Sequence, residues 1–169
     1  MKKIQSRVLF FVMALSILLN VFFVFLYYQE QDRKKDDLLY AVENVSRHMN
    51  HAAERLTAMD EGNPDNRNLI IDALRGVAIS EGWIRANETV MPQNLASWIG
   101  GMKVGLSSGA FAIGKAELKS TAQDIINFNN GYHKEIKSIN SNDDPYKLLE
   151  IMEDVLSSKK YMGDNFIYK

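Results

Sequence analysis

Hydrophobic and polar residues are arranged along this chain in three different ways. From Val8 to Tyr28 they do not alternate: twenty-one consecutive residues carry no charge, and only Ser16 and Asn20 are clearly polar. A run of that length matches the roughly 20 apolar residues that cross a ~30 Å hydrocarbon core at 1.5 Å rise per residue. A helix satisfies its own backbone hydrogen bonds there, so one such segment can cross alone. The pattern predicts a transmembrane helix over 8–28.

The second arrangement is a heptad stripe. Leu38, Val42, Val45, Met49, Ala52, Leu56 and Met59 recur at 4-3-4-3-4-3 spacing, which predicts a long amphipathic helix over 36–59. Nothing between Tyr28 and Leu38 is Gly or Pro, so this helix is expected to continue from the span, and Gly62, Asn63 and Pro64 are expected to end it. Leu118, Ala122, Ile125, Tyr132, Ile136 and Ile139 form a similar stripe, predicting a helix over 114–139. Asn129 stands in that stripe where an apolar residue is expected. Buried, such an Asn fixes register at a cost in stability; a partly exposed Asn is the plainer alternative.

Shorter helices fill the rest. Asp65 or Asn66 caps a helix over 66–80 carrying Leu69, Ile70, Leu74, Val77 and Ala78, expected to stop near Gly82 and to be followed by a connector over 83–91. Pro92 opens a third helix with Leu95, Trp98, Ile99 and Met102. Asp144 as cap and Pro145 at the first position open the last, with Leu148, Leu149, Met152, Val155 and Leu156. No strand pattern of useful length is present. The expected fold is all-α: an N-terminal transmembrane helix and an extracytoplasmic bundle of four to five helices. Its divisions are a cytoplasmic N-terminus (1–7), the span (8–28), a juxtamembrane helical linker (29–37), the bundle (38–158) and a tail (159–169). This layout resembles the periplasmic sensing domains of bacterial receptors in architecture alone, without a second convincing span or room for a signalling output.

The third arrangement is Leu95 to Gly114, where Lys103 is the one charge in twenty residues and Gly101, Gly105 and Gly109 recur every four. On a helix this spacing makes a groove that another backbone can approach closely. A membrane-embedded Lys costs about 2.5–3.5 kcal/mol, which argues against a second span. The expected arrangement is a buried helix followed by a Gly/Ser-rich loop. Gly101, Gly105, Gly109 and neighbouring Trp98 are the candidate close-packing or pocket residues; Asn129 and Asn20 are the candidates for register and membrane association.

Charge adds an orientation. Residues 1–35 carry six Lys or Arg and two acids, whereas residues 36–169 carry fourteen and nineteen. Counts of Lys and Arg beside the span tie, and the short basic N-terminus breaks the tie toward a cytoplasmic N-terminus. No A-x-A-like site follows the run, so it is expected to remain as a signal anchor. The expected location is a bacterial cell membrane. The mildly acidic domain offers no electrostatic footprint for nucleic acid.

Catalytic chemistry finds little support. The chain has no cysteine, which removes disulfides and thiolate ligands. Gly109, Gly114 and Lys115 match a phosphate-binding loop, but Ala116 replaces its Ser or Thr and no strand precedes it. His48, His51 and Glu54 lie three apart at polar heptad positions, which fits a solvated helix face better than a metal site. No catalytic residue, cofactor or metal is expected. The expected function is that of a non-enzymatic accessory or regulatory subunit, binding a protein partner or itself through the heptad faces, with the lipid bilayer as anchor. The alternative is an extracytoplasmic small-molecule sensing module.

Overall fold

A computed structural model describes residues 2–60, 64–111, 115–138 and 144–167, with side chains for 10–60, 64–108, 118–138 and 144–167. Among the described residues there are six α-helices, one 3-10 turn and no strand. The helices are α1 (Lys2–Thr57), α2 (Asn66–Ala86), α3 (Gln93–Phe111), α4 (Lys115–Ile136), α5 (Pro145–Leu156) and α6 (Lys159–Met162), followed by the 3-10 turn Gly163–Asn165. The chain divides into two compact units, Met1–Asp37 and Leu38–Lys169.

The first unit is a single helix, its described apolar side chains open to the surroundings. It supplies the one described helix long and apolar enough to cross a membrane, and none of that apolar stretch is buried by the chain. Glu30 closes the apolar run with local ion pairs to Arg33 at 2.8 Å and Lys34 at 3.5 Å.

The second unit is built on the heptad residues of α1. Leu38, Val42, Val45, Met49, Ala52 and Leu56 are all buried, and with Val77, Ile99, Leu106, Ile125, Phe128, Leu149, Met152 and Val155 they form one core. Fully burying each large aliphatic side chain contributes about 1.5–3 kcal/mol before entropy is counted. The α1 stripe is therefore consumed inside its own domain.

Two boundaries differ from expectation. Gly82 does not stop α2: the helix continues to Ala86, where the Asn87 side chain caps back to Trp83 O at 2.9 Å. Ile70, Ala73, Val77, Ser80 and Ile84 form a buried face, and Trp83 packs edge-on to Tyr40 at 5.3 Å between ring centres. These contacts outweigh the ~1 kcal/mol that an internal glycine costs. For the same reason α3 runs on past Met102 through Gly105 and Gly109 to Phe111, where a loop was expected. Leu95, Trp98, Ile99 and Leu106 hold its inner face.

α5 starts on its sequence signals, whereas α6 falls in the stretch expected to be a tail. Asp144 accepts from Tyr146 N at 3.2 Å and Pro145 opens α5. Gly163, at φ 60°, then adopts the left-handed backbone that turns the chain out of α6. The C-terminal stretch docks: Ile167 N donates to Leu156 O at 2.8 Å, Met162 joins the core, and Phe166 and Ile167, partly buried, pack against it. Gly62, Asn63, Gly114 and Ile139 lie outside the described residues.

Candidate functional site

The sequence-predicted candidates fall in three places rather than one. Gly105 and Trp98 face inward on α3. A Cβ added at Gly105 would meet Thr121 Oγ1 inside contact distance and Thr121 Cγ2 at 3.0 Å. Glycine here is what lets α3 and α4 approach. Trp98 lies against Phe128 with ring centres 4.6 Å apart, and Phe128 stacks in turn on Tyr132 at 6.1 Å. Burial pushes the Tyr132 hydroxyl well above the ordinary tyrosine range, opposed by a hydrogen bond to Ser46. Gly101, by contrast, is exposed and has nothing within 4 Å of an added Cβ. Gly101 and Gly105 are therefore not one groove: a four-residue step turns the helix by 40°, enough to move from the open face to the closed one. For Gly109 the helical backbone alone is described.

Asn129 is buried at 7% exposure, not partly exposed. Its side chain donates to Asn50 Oδ1 at 3.0 Å, and His133 Nε2 lies 3.2 Å from the same oxygen. Because Asn50 Oδ1 accepts, that second contact places a proton on His133 Nε2. Asn50 also donates to Glu54 at 2.8 Å. A polar bridge thus joins α1 to α4. Asn50 escaped the sequence reading because it sits beside the heptad stripe. The available signal was the pair of i,i+4 polar couples, Asn50/Glu54 and Asn129/His133, on two facing helices.

Asn20 lies in the first unit, exposed, and donates to Ser16 O at 2.9 Å within its own helix.

Charged groups form further local arrangements. Lys103, the lone charge of the Gly-rich stretch, pairs with Glu81 at 2.5 Å, and Arg85 pairs with the same carboxylate at 2.6 Å. The Lys103 hydrogen bond first, then that of Arg85, holds the Glu81 carboxyl below its ordinary range. Asp124 on α4 is buried and accepts from Asn165 at 3.0 Å and 3.1 Å. Burial pushes its carboxyl up, and Asn165 offsets part of that. A cleft of about 260 Å³ lies among α4, α5 and α6, lined by Glu135, Asp154, Lys160 and Tyr161 with Ile151, Val155 and Ser158. Tyr161 donates to Glu135, and Lys160 donates to the Tyr161 hydroxyl at 2.7 Å.

His48, His51 and Glu54 do not converge, and among the described residues no group of three or more His, Asp or Glu side chains could hold a metal ion. The His48 backbone oxygen instead underlies Gly76, where a Cβ would come within 2.7 Å. Burial, Arg47 and His51 together lower the His48 imidazole. Comparison with family models, with curated proteins and with solved structures finds no match to this chain.

Proposed function

We propose that this chain is a single-pass membrane protein, N-terminus in the cytoplasm, whose exported helical domain acts as a non-enzymatic accessory or regulatory interaction subunit. The observation that carries the reading is the uncovered apolar helix. Phe11, Leu18, Phe22 and Phe25 are each more than half exposed, a surface that water disfavours and a bilayer covers. Lys2, Lys3 and Arg7 at its start favour retention of that end inside. The bundle then serves as the part that a partner reads. Its heptad residues are engaged internally, so contact falls to outward residues such as Val90 and Val104, 45% and 63% exposed.

Site-specific photocrosslinking from Val90 and Val104 of the full chain in native membranes tests the interaction. A discrete adduct from one position and not from its neighbours on the opposite helix face is expected. Absence of any adduct, with the purified full chain eluting alone, would remove the interaction role.

A further inference from the structure

Ser16 and Asn20 are the polar positions of the apolar helix, and four residues apart they share one face. Asn20 spends one amide hydrogen on Ser16 O at 2.9 Å. A carboxamide has two N–H donors and an acceptor oxygen, and among the described residues no further bond reaches the remaining donor or the oxygen. In water solvent would supply both. Asn20 stands eight residues before Tyr28 and twelve after Val8, about 12 Å from the nearer end of the run at 1.5 Å per residue. Lipid tails offer nothing at that depth, and the short side chain cannot reach the headgroups as a lysine would.

The unmet groups specify their occupant. A carboxamide is self-complementary, one free donor beside one free acceptor. A second copy of this chain, inserted in the same direction, brings its own Asn20 to the same depth. Met13, Ser16, Asn20, Phe23 and Tyr27 follow 3-4-3-4 spacing, the period of two helices supercoiled along a seam, where an Asn fixes register. Met13, Phe23 and Tyr27 are all exposed, whereas the heptad stripe of the second unit is already filled from within. Resting on the membrane reading above, we propose that two copies associate in parallel through this seam, each Asn20 supplying the hydrogen bond that the other lacks.

The absence of cysteine makes the test direct. Single variants Met13→Cys, Ser16→Cys and Phe23→Cys of the full chain, oxidised in membranes, are expected to give a disulfide-linked dimer. Leu18→Cys and Phe25→Cys, on the opposite face, are expected not to. Adding Asn20→Leu to Phe23→Cys lowers the association constant about 3- to 30-fold, the range measured for intramembrane polar contacts, and Asn20→Gln restores it. Equal crosslinking on both faces, no effect of Asn20→Leu, or adducts only to a different protein would each overturn the seam. Alkaline extraction of the same membranes separates the two failures. A chain that stays in the pellet without dimerising sinks this inference alone, and a chain released to the supernatant sinks the membrane reading with it.

Discussion

Replacing Gly105 with alanine sets two opposing effects against each other at one helix position. Alanine is better than glycine in a helix interior by about 1 kcal/mol, so in open space the change stabilises. At Gly105 the new methyl meets Thr121 Oγ1 inside contact distance, Cγ2 at 3.0 Å and Cβ at 3.1 Å, and Thr121 is itself buried. Overpacking a closed contact costs about 1–3 kcal/mol, which leaves a net loss of about 0–2 kcal/mol. Gly101, one turn earlier, has nothing within 4 Å, so the same substitution there gains up to about 1 kcal/mol. The effect on the unfolded chain is common to both and cancels in the comparison. Denaturant unfolding of the full chain in mild detergent, followed by helical circular dichroism, should separate Gly105→Ala from Gly101→Ala by about 1–3 kcal/mol. Adding Thr121→Ala to Gly105→Ala should recover part of the loss, a coupling of about 0.5–3 kcal/mol. If both alanine variants stabilise equally and show no coupling to Thr121, the close approach of α3 and α4 is refuted.

Other perturbations have equally definite signs. Asn50→Leu should destabilise by about 1–3 kcal/mol, because it strands the buried Asn129 amide and removes the acceptor for His133. Asn129→Leu should cost less than that, since His133 remains on Asn50 and the new side chain gains apolar burial; the same unfolding assay ranks them, and the reverse order contradicts the bridge. The pH response divides between two carboxylates. Asp124, with its folded-state pKa raised by burial, binds its proton more tightly when folded, so stability is lost as pH rises from the ordinary aspartate range through the raised value. Glu81, lowered by Lys103 and Arg85, contributes stability that is present above its ordinary range and lost as pH falls through the lowered value. Asp124→Asn should flatten the first slope and Glu81→Gln the second in melting profiles taken across acid pH; a profile unchanged by either variant counts against that group's assignment. Asp144→Ala should cost about 1 kcal/mol through loss of the α5 cap.

What could be read from the residues follows from how local each determinant is. The apolar run is contiguous, so its helix needs no knowledge of the rest of the chain. Asp144 and Pro145 mark a helix start by their own hydrogen-bonding and φ preferences, and α5 begins there. Leu38, Val42, Val45, Met49, Ala52 and Leu56 of α1 and Ala122, Ile125 and Tyr132 of α4 are buried, and Met59, Leu118 and Ile136 partly so, because period alone places them on one face. The end of α2 and the length of α3 were less legible. Gly82 reads as a stop and Gly105 as part of a loop by propensity, yet packing of Ile84 and Leu106 into the core carries the helices past them. The Asn129 partner was hidden for a related reason: Asn50 is distant in sequence, and nothing local says which α1 position faces α4. Heptad spacing likewise shows that a stripe is buried without saying whether its cover is another chain. In the second unit that cover is the chain itself.

Membrane orientation is the claim on which the rest of the function depends, and cysteine accessibility measures it most directly because the chain has no cysteine of its own. Lys3→Cys and Lys137→Cys variants of the full chain are treated in intact cells with a membrane-impermeant maleimide, then again after permeabilisation. The account predicts labelling of the Lys137→Cys variant in intact cells, labelling of the Lys3→Cys variant only after permeabilisation, and retention of both in the membrane pellet under alkaline extraction. Shielding of the Lys137→Cys variant until permeabilisation, or release of the chain from the pellet, would contradict it.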